Sequence, residues 1–172
     1  MRTVRLPCVL FFLLPISLYA QRYKPYSSSW KWAATAEVGS VSPGYSLNAE
    51  YSPVQFKKSF VVLRAGIGYL SERYSKAAIP HAITWAVLLN GKERGCPLSV
   101  PEKALFLEIG AGGAYLIENT SKINYVGGPV IGLRRYFMYN ERATGFLKIQ
   151  AMPLIADRIM PWGGVGIGLV ID

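Results

Sequence analysis

Toward its C-terminal end the chain alternates with period two. Val165, Ile167, Leu169 and Ile171 share one parity, while Gly164, Gly166 and Gly168 share the other. Successive strand residues point to opposite faces, so this pattern makes a strand with one apolar face and one small-residue face. A helix would lose roughly 1 kcal/mol at each glycine relative to alanine. The same alternation recurs upstream. In 144–152, Gly145, Leu147, Ile149 and Ala151 alternate with Thr144, Lys148 and Gln150. In 59–70, Val61, Leu63, Ala65, Ile67 and Tyr69 alternate with Arg64, Gly66 and Gly68, and in 104–116 Leu105, Leu107, Ile109, Ala111 and Tyr115 oppose Glu108, Gly110 and Gly112. In 45–53, Tyr45, Leu47, Ala49 and Tyr51 oppose Ser46, Asn48, Glu50 and Ser52; in 33–41, Ala34, Ala36 and Val38 oppose Thr35, Glu37 and Gly39. Blocks 79–90 and 124–138 alternate less cleanly, blurred by Pro80, Leu88 and Pro129. A proline cannot donate to a strand ladder, so Pro129 is expected at a bulge or ladder irregularity.

Blocks of roughly nine to twelve residues have the length a tilted strand needs to cross a bilayer. The connections carry turn chemistry at Ser42-Pro43-Gly44, Phe56-Lys57-Lys58, Asn90-Gly91-Lys92, Asn119-Thr120-Ser121 and Asn140-Glu141. Strands joined this closely pair antiparallel, because a parallel crossover needs a dozen or more residues. The expected fold is all-β: an antiparallel, up-and-down transmembrane β-barrel of about eight strands spanning 33–172. An even strand number returns both termini to one side, which in exported barrels is periplasmic. The connections Ser71 to Ala78, Ile117 to Ile123 and Ala156 to Pro161 then face outward. The longest connection, Gly91 to Lys103, falls on the periplasmic side, where turns are usually short.

Charge changes the picture by separating two kinds of barrel. The polar parity carries Glu37, Glu50 and Glu108 with Arg64, Arg134 and Lys148, three acids and three bases. An eight-stranded barrel is only wide enough for side chains to fill its interior. Balanced, hydrogen-bonded charge can be accommodated there, whereas unpaired charge is costly. These six residues are the expected lumen network of a plugged barrel. A soluble, secreted lipid-binding barrel would invert the pattern, with apolar residues inside and charges outside. Tyr45, Tyr51, Tyr69, Trp85, Tyr115, Tyr136 and Trp162 lie toward block ends, where aromatic girdles sit at headgroup level.

The first twenty residues read as something other than barrel. Arg2 and Arg5 precede the almost wholly apolar run Leu6 to Leu18, and Tyr19-Ala20 precedes Gln21. That is the layout of a cleaved signal peptide, 1–20, with export through the general secretory route. Residues 21–32 then form an N-terminal periplasmic segment. Cys8 stands at the front of the apolar run, where it makes no lipoprotein anchor. Loss of Arg2 and Arg5 lowers the net charge from +9 to +7. With an export signal present, that basic balance points to anionic headgroups or lipopolysaccharide and not to nucleic acid. Charged residues reach only 17% against 51% apolar, which excludes a disordered chain.

The C-terminal two-thirds resembles a family of uncharacterised small outer-membrane β-barrel proteins common in Bacteroidota. The resemblance rests on Leu105-Phe-Leu-Glu-Ile-Gly-Ala-Gly-Gly-Ala-Tyr115, Ile131-Gly-Leu-Arg-Arg-Tyr136, Gly145-Phe-Leu-Lys148, Met152-Pro-Leu-Ile155 and Pro161-Trp-Gly-Gly-Val-Gly-Ile-Gly168. A leader ending Ala20-Gln21 fits the same group. The resemblance implies a barrel in the cell outer membrane and implies no activity. Members often end in an aromatic residue, where this chain has Val170-Ile171-Asp172, and their equivalent of Gly91 to Lys103 is usually short.

Candidate chemistry is sparse. After the leader there is one histidine, His81, and one cysteine, Cys96. That is too little for a metal or haem site of the usual kind and leaves no internal disulfide. A lipid A-modifying hydrolase at the outer leaflet would need His81 as base, with Ser71, Glu72 or Ser75 as the nearest partners. By parity His81 groups with the outward-facing Ile79, Ile83 and Trp85, where an interfacial histidine without chemistry is the simpler reading. The three glutamates read as lumen salt links, not general acids. Neither Gly110-Ala-Gly-Gly113 nor Gly163-Gly-Val-Gly166 precedes a helix, so neither is a phosphate loop. The expectation is a non-enzymatic, cofactor-free monomer that presents loops or supports envelope integrity. Its partners would be outer-membrane lipid, lipopolysaccharide and, during insertion, the outer-membrane assembly machinery.

Overall fold

A computed structural model describes residues 31–56, 58–70, 77–90, 104–117, 123–140, 143–155 and 159–171. The expected leader, Ser71, Glu72, Ser75, Cys96 and the Gly91 to Lys103 connection lie outside them. Among the described residues, ten strands follow in chain order: β1 (Trp32–Val38), β2 (Tyr45–Tyr51), β3 (Ser59–Tyr69), β4 (Ala77–Asn90), β5 (Leu105–Ile117), β6 (Ile123–Asn140), β7 (Ala143–Ala151), β8 (Leu154–Ile155), β9 (Ile159–Met160) and β10 (Gly163–Ile171). From β1 to β7 each strand pairs antiparallel with the next. Strand β10 pairs with β7 on one side and with β1 on the other, from Trp32↔Ile171 to Val38↔Val165. Eight strands therefore close an antiparallel barrel. The short β8–β9 hairpin lies outside the ring and touches β6 at Gly127↔Ile155.

Closure follows from the alternation. Each strand turns its polar or small parity inward and its apolar parity outward, as in the burial of β2, where Ser46, Asn48 and Glu50 are buried and Tyr45 and Leu47 are exposed. The first block is shorter than its alternation suggests. Gly39 (φ 73°) and Ser40 (φ 68°) take left-handed backbone and end β1, so 39–41 belong to a turn. A side chain at Gly39 would collide with the Gly163 carbonyl, which reserves the position for glycine. Both prolines sit where ladders lapse. The β3–β4 ladder skips from Ala65↔His81 to Gly68↔Ala78 around Pro80. Pro129 keeps register with Ala111, while the β6–β7 ladder stops at Ile131↔Ala151.

The interior is layered. At the end bearing Trp32 and Ile171, Phe60, Phe106, Tyr136 and Phe146 pack with Val62, Ala86 and Ala104. At the opposite end Val41, Ala82, Val130 and Met152 form a smaller apolar cluster, with Val41 carried inward by the β1–β2 turn. Charged and amide side chains occupy the space between. Outside, the wall is apolar, with Leu47, Ile67, Ile83, Ile109, Ile149 and Ile167 all exposed. Arg135 is the only charged side chain on the outward face of any strand among the described residues. The wall is also uneven in height, with seven residues in β1 and β2 but thirteen in β5 and eighteen in β6.

Candidate functional site

The structure places all six expected lumen residues inside the barrel. Glu37, Glu50, Arg64, Glu108, Arg134 and Lys148 are each at most 3% exposed. They come from β1, β2, β3, β5, β6 and β7, so the ring delivers them to one point from six directions. Arg64 lies 3.0 Å from Glu37, 3.2 Å from Glu50 and 3.8 Å from Glu108. Arg134 lies 2.7 Å from Glu50 and 2.5 Å from Glu108. Lys148 contacts both Glu37 and Glu50. Every carboxylate thus meets at least two cations, the multiple pairing that a dry interior requires.

Neutral groups complete the network, and these the alternation alone did not single out. Gln150 donates to Glu108 at 2.6 Å and accepts from Arg64 at 2.9 Å. The Ser40 hydroxyl also donates to the Gln150 carbonyl oxygen, at 2.6 Å. That bond ties the left-handed turn to β7. Glycine makes the room: a Cβ at Gly166 would press on Glu37 and Lys148, and one at Gly132 on Gln150.

Tyr136 departs from the girdle expectation. It shares parity with Arg134, points inward and is 1% exposed, with its hydroxyl accepting from Arg134 at 3.3 Å. The Arg134 guanidinium also lies over the Phe146 ring, 4.2 Å from its centroid. The aromatic layer is therefore joined to the charges through one arginine. Of the other expected girdle residues, Tyr45, Tyr69, Trp85, Tyr115 and Trp162 are exposed, and Tyr51 is half-buried against the exposed Trp32.

On the outer wall His81 has neighbours the sequence did not reveal. Its ring stacks with Tyr115 and Tyr125 at centroid distances of 5.4 and 5.7 Å. Its Nε2 lies 3.3 Å from the Tyr125 hydroxyl and its Nδ1 3.4 Å from the Ile79 carbonyl oxygen. No serine or carboxylate touches it among the described residues. Nor do the described residues include three His, Cys, Asp or Glu side chains grouped to hold a metal ion.

Fold and interior together define a class: a small closed barrel, apolar outside, with a centre filled by paired charge. Compared with protein-family models, curated proteins and solved structures, the chain matches none.

Proposed function

We propose that this chain is a non-enzymatic outer-membrane β-barrel protein with a plugged lumen, presenting its connections at the cell surface or supporting envelope integrity. The observation that carries the reading is the inside-out distribution of polarity. Soluble monomers rarely expose contiguous apolar patches beyond a few hundred Å². Here an apolar band runs around the whole ring with a single charged side chain among its described strand residues. Hydrocarbon is the solvent that suits such a wall. The resemblance to small outer-membrane barrels of Bacteroidota and the leader-like residues 1–20 support the same location. A soluble lipid-binding barrel would need its interior for the ligand, and here arginine, lysine and phenylalanine side chains occupy it.

Fractionation of native envelopes tests the location. The protein should follow the outer membrane and migrate faster on gels when unheated than when boiled. Recovery in the soluble periplasmic fraction, without heat-modifiable mobility, would refute the reading. Planar-bilayer recordings of the purified protein should show no steady conductance, since the charge layer lies between two apolar clusters. The rival, a lipid A-modifying enzyme using His81, predicts altered lipid A in cells lacking the gene. Unchanged lipid A profiles are expected.

A further inference from the structure

Arg134 and Arg135 are neighbours on β6, so strand parity sends one inward and the other out. Arg134 joins the buried network. Arg135 is exposed on the outer wall and has no ion pair among the described residues. A lipid-facing arginine is costly at the bilayer midplane and nearly free at an interface. The fold puts Arg135 at an interface. Asn90, Leu105 and Arg135 lie in register where β4 ends and β5 begins, so theirs is the last row of this part of the wall. It lies at the Trp32 and Ile171 end, which is periplasmic under the reading above.

A β-bulge brings Asn90 into that row. The β4–β5 register shifts between Leu88 and Asn90, so Asn90, and not Leu89, pairs with Leu105 and shares its outward face. The exposed Asn90 side chain accepts from the Leu105 N–H at 2.8 Å, and its NH2 group is left to donate. Two strand spacings, about 10 Å, separate the Asn90 and Arg135 backbones. An extended arginine, one phosphate and an amide can close that gap together. Toward mid-wall the next rows are Val87, Leu107 and Leu133, then Trp85, Ile109 and Ile131.

A ligand at this foot has its polar head at the strand end and its apolar tail along the wall, which describes a lipid of the periplasmic leaflet. The head chemistry follows from the atoms. The guanidinium presents a planar fork of donors that matches a phosphate, and the Asn90 amide adds another. The Asn90 oxygen is engaged by Leu105, so the described foot offers an anion donors and a cation no open side-chain acceptor. Charge along the chain agrees. The stretches 21–31, 52–58, 91–103 and 141–142 and Asp172, which join the strands at this end, hold nine basic and four acidic residues. Those at the opposite end, 39–44, 70–76, 118–122 and 152–162, hold four and three.

We infer that Arg135 and Asn90 bind the phosphodiester of an anionic glycerophospholipid, of the phosphoglycerol class, at the periplasmic end of the wall. The inference rests on the membrane reading proposed above. Its test uses the protein purified in mild detergent and titrated with phosphoglycerol, phosphoethanolamine and phosphocholine lipids of identical acyl chains, with bound lipid counted by native mass spectrometry. Phosphoglycerol should bind about tenfold tighter than either zwitterion, whose own ammonium competes with Arg135 for the phosphate. Arg135→Gln should abolish that preference, and Arg135→Lys, which keeps the charge but loses the fork, should restore only part of it. Asn90→Asp keeps the acceptor for Leu105 but replaces the donor with a negative charge, and should weaken phosphoglycerol binding.

Equal affinities in the wild type, tighter binding of a zwitterion, or a preference intact in Arg135→Gln would each overturn the site. Should a variant not fold, the Nε–H resonance of wild-type Arg135 serves instead. It should shift more on adding phosphoglycerol lipid than phosphocholine lipid, and equal shifts would count against the site. A wild-type protein that inserts into no vesicle overturns the membrane reading, whereas one that inserts without headgroup preference overturns this site alone.

Discussion

Glu50 is the residue on which the interior most depends. Its carboxylate lies 2.7 Å from Arg134, 2.5 Å from Lys148 and 3.2 Å from Arg64, with no more than 2% of its surface exposed. Glu50→Gln keeps the size of the side chain but leaves three cations facing two carboxylates in a dry layer. Breaking a buried ion pair from one side costs about 3–5 kcal/mol, or between about two and three and a half orders of magnitude in the folding equilibrium. Unfolding by urea in lipid vesicles, followed by heat-modifiable gel mobility and tryptophan fluorescence, reads this directly. A second substitution makes the reasoning sharper. Lys148→Met removes the matching positive charge at similar volume, so Glu50→Gln/Lys148→Met restores the balance at two acids and two bases. The double variant should recover at least half of the stability lost by Glu50→Gln. A single variant as stable as wild type, or a double variant whose losses simply add, would refute the account of the interior as a balanced charge layer.

Three further outcomes follow from the same geometry. Ile167→Arg puts a charge on the outward face of β10 and should cost roughly 2–4 kcal/mol in a bilayer, blocking stable insertion, while Ile167→Val should insert; equal insertion of both would remove either the parity or the membrane from the account. Gly168→Ala drives a methyl group into the packed Phe146 ring, whose nearest atom would be 2.3 Å away; thermal unfolding should register a loss of about 1–3 kcal/mol. Mass spectrometry of protein from native envelopes should find the mature chain starting at or next to Gln21, and retention of residues 1–20 in the folded form would contradict the leader assignment.

Most of the barrel could be read from alternation because a strand has only two faces. One residue of each pair must meet the interior, and Glu37, Arg64 or Lys148 declares which. Tyr136 shows what happens when residue type is allowed to override parity. Its place near a block end suggests a girdle, but two residues from Arg134 it has to share that side chain's face. Gln150 was legible as polar and inward, but not as the bridge between Arg64 and Glu108, since which inward residues meet depends on the shear of the ring. The plugging turn was half visible. Gly39 signals a left-handed bend, whereas nothing about Ser40, Val41 or Ser42 says that the loop folds in instead of out. The two-residue strands β8 and β9 are too short to carry any period. The meeting of Tyr125 with His81 lay beyond reach for another reason. It depends on what Gly113 and Gly127 leave empty beneath the Tyr125 ring, and a sequence records no contacts for an absent side chain.

The spread of the ion pairs along the chain governs the order in which this protein can be assembled. Glu50 and Lys148 are 98 residues apart, and Ser40 and Gln150 are 110 apart. An open sheet of the first few strands holds Glu37 and Glu50 with Arg64 as their only basic neighbour, while Arg134 and Lys148 have yet to arrive. Such a sheet cannot turn its inner face toward hydrocarbon, because two acids would be stripped of water with one base between them. Under the proposed location, the curling chain keeps that face wet until β7 brings Lys148 and Gln150 and β10 reaches β1. The final act of assembly is therefore a drying step. Water leaves the centre as the seam shuts, and the partners that replace it are those the last strands carry in.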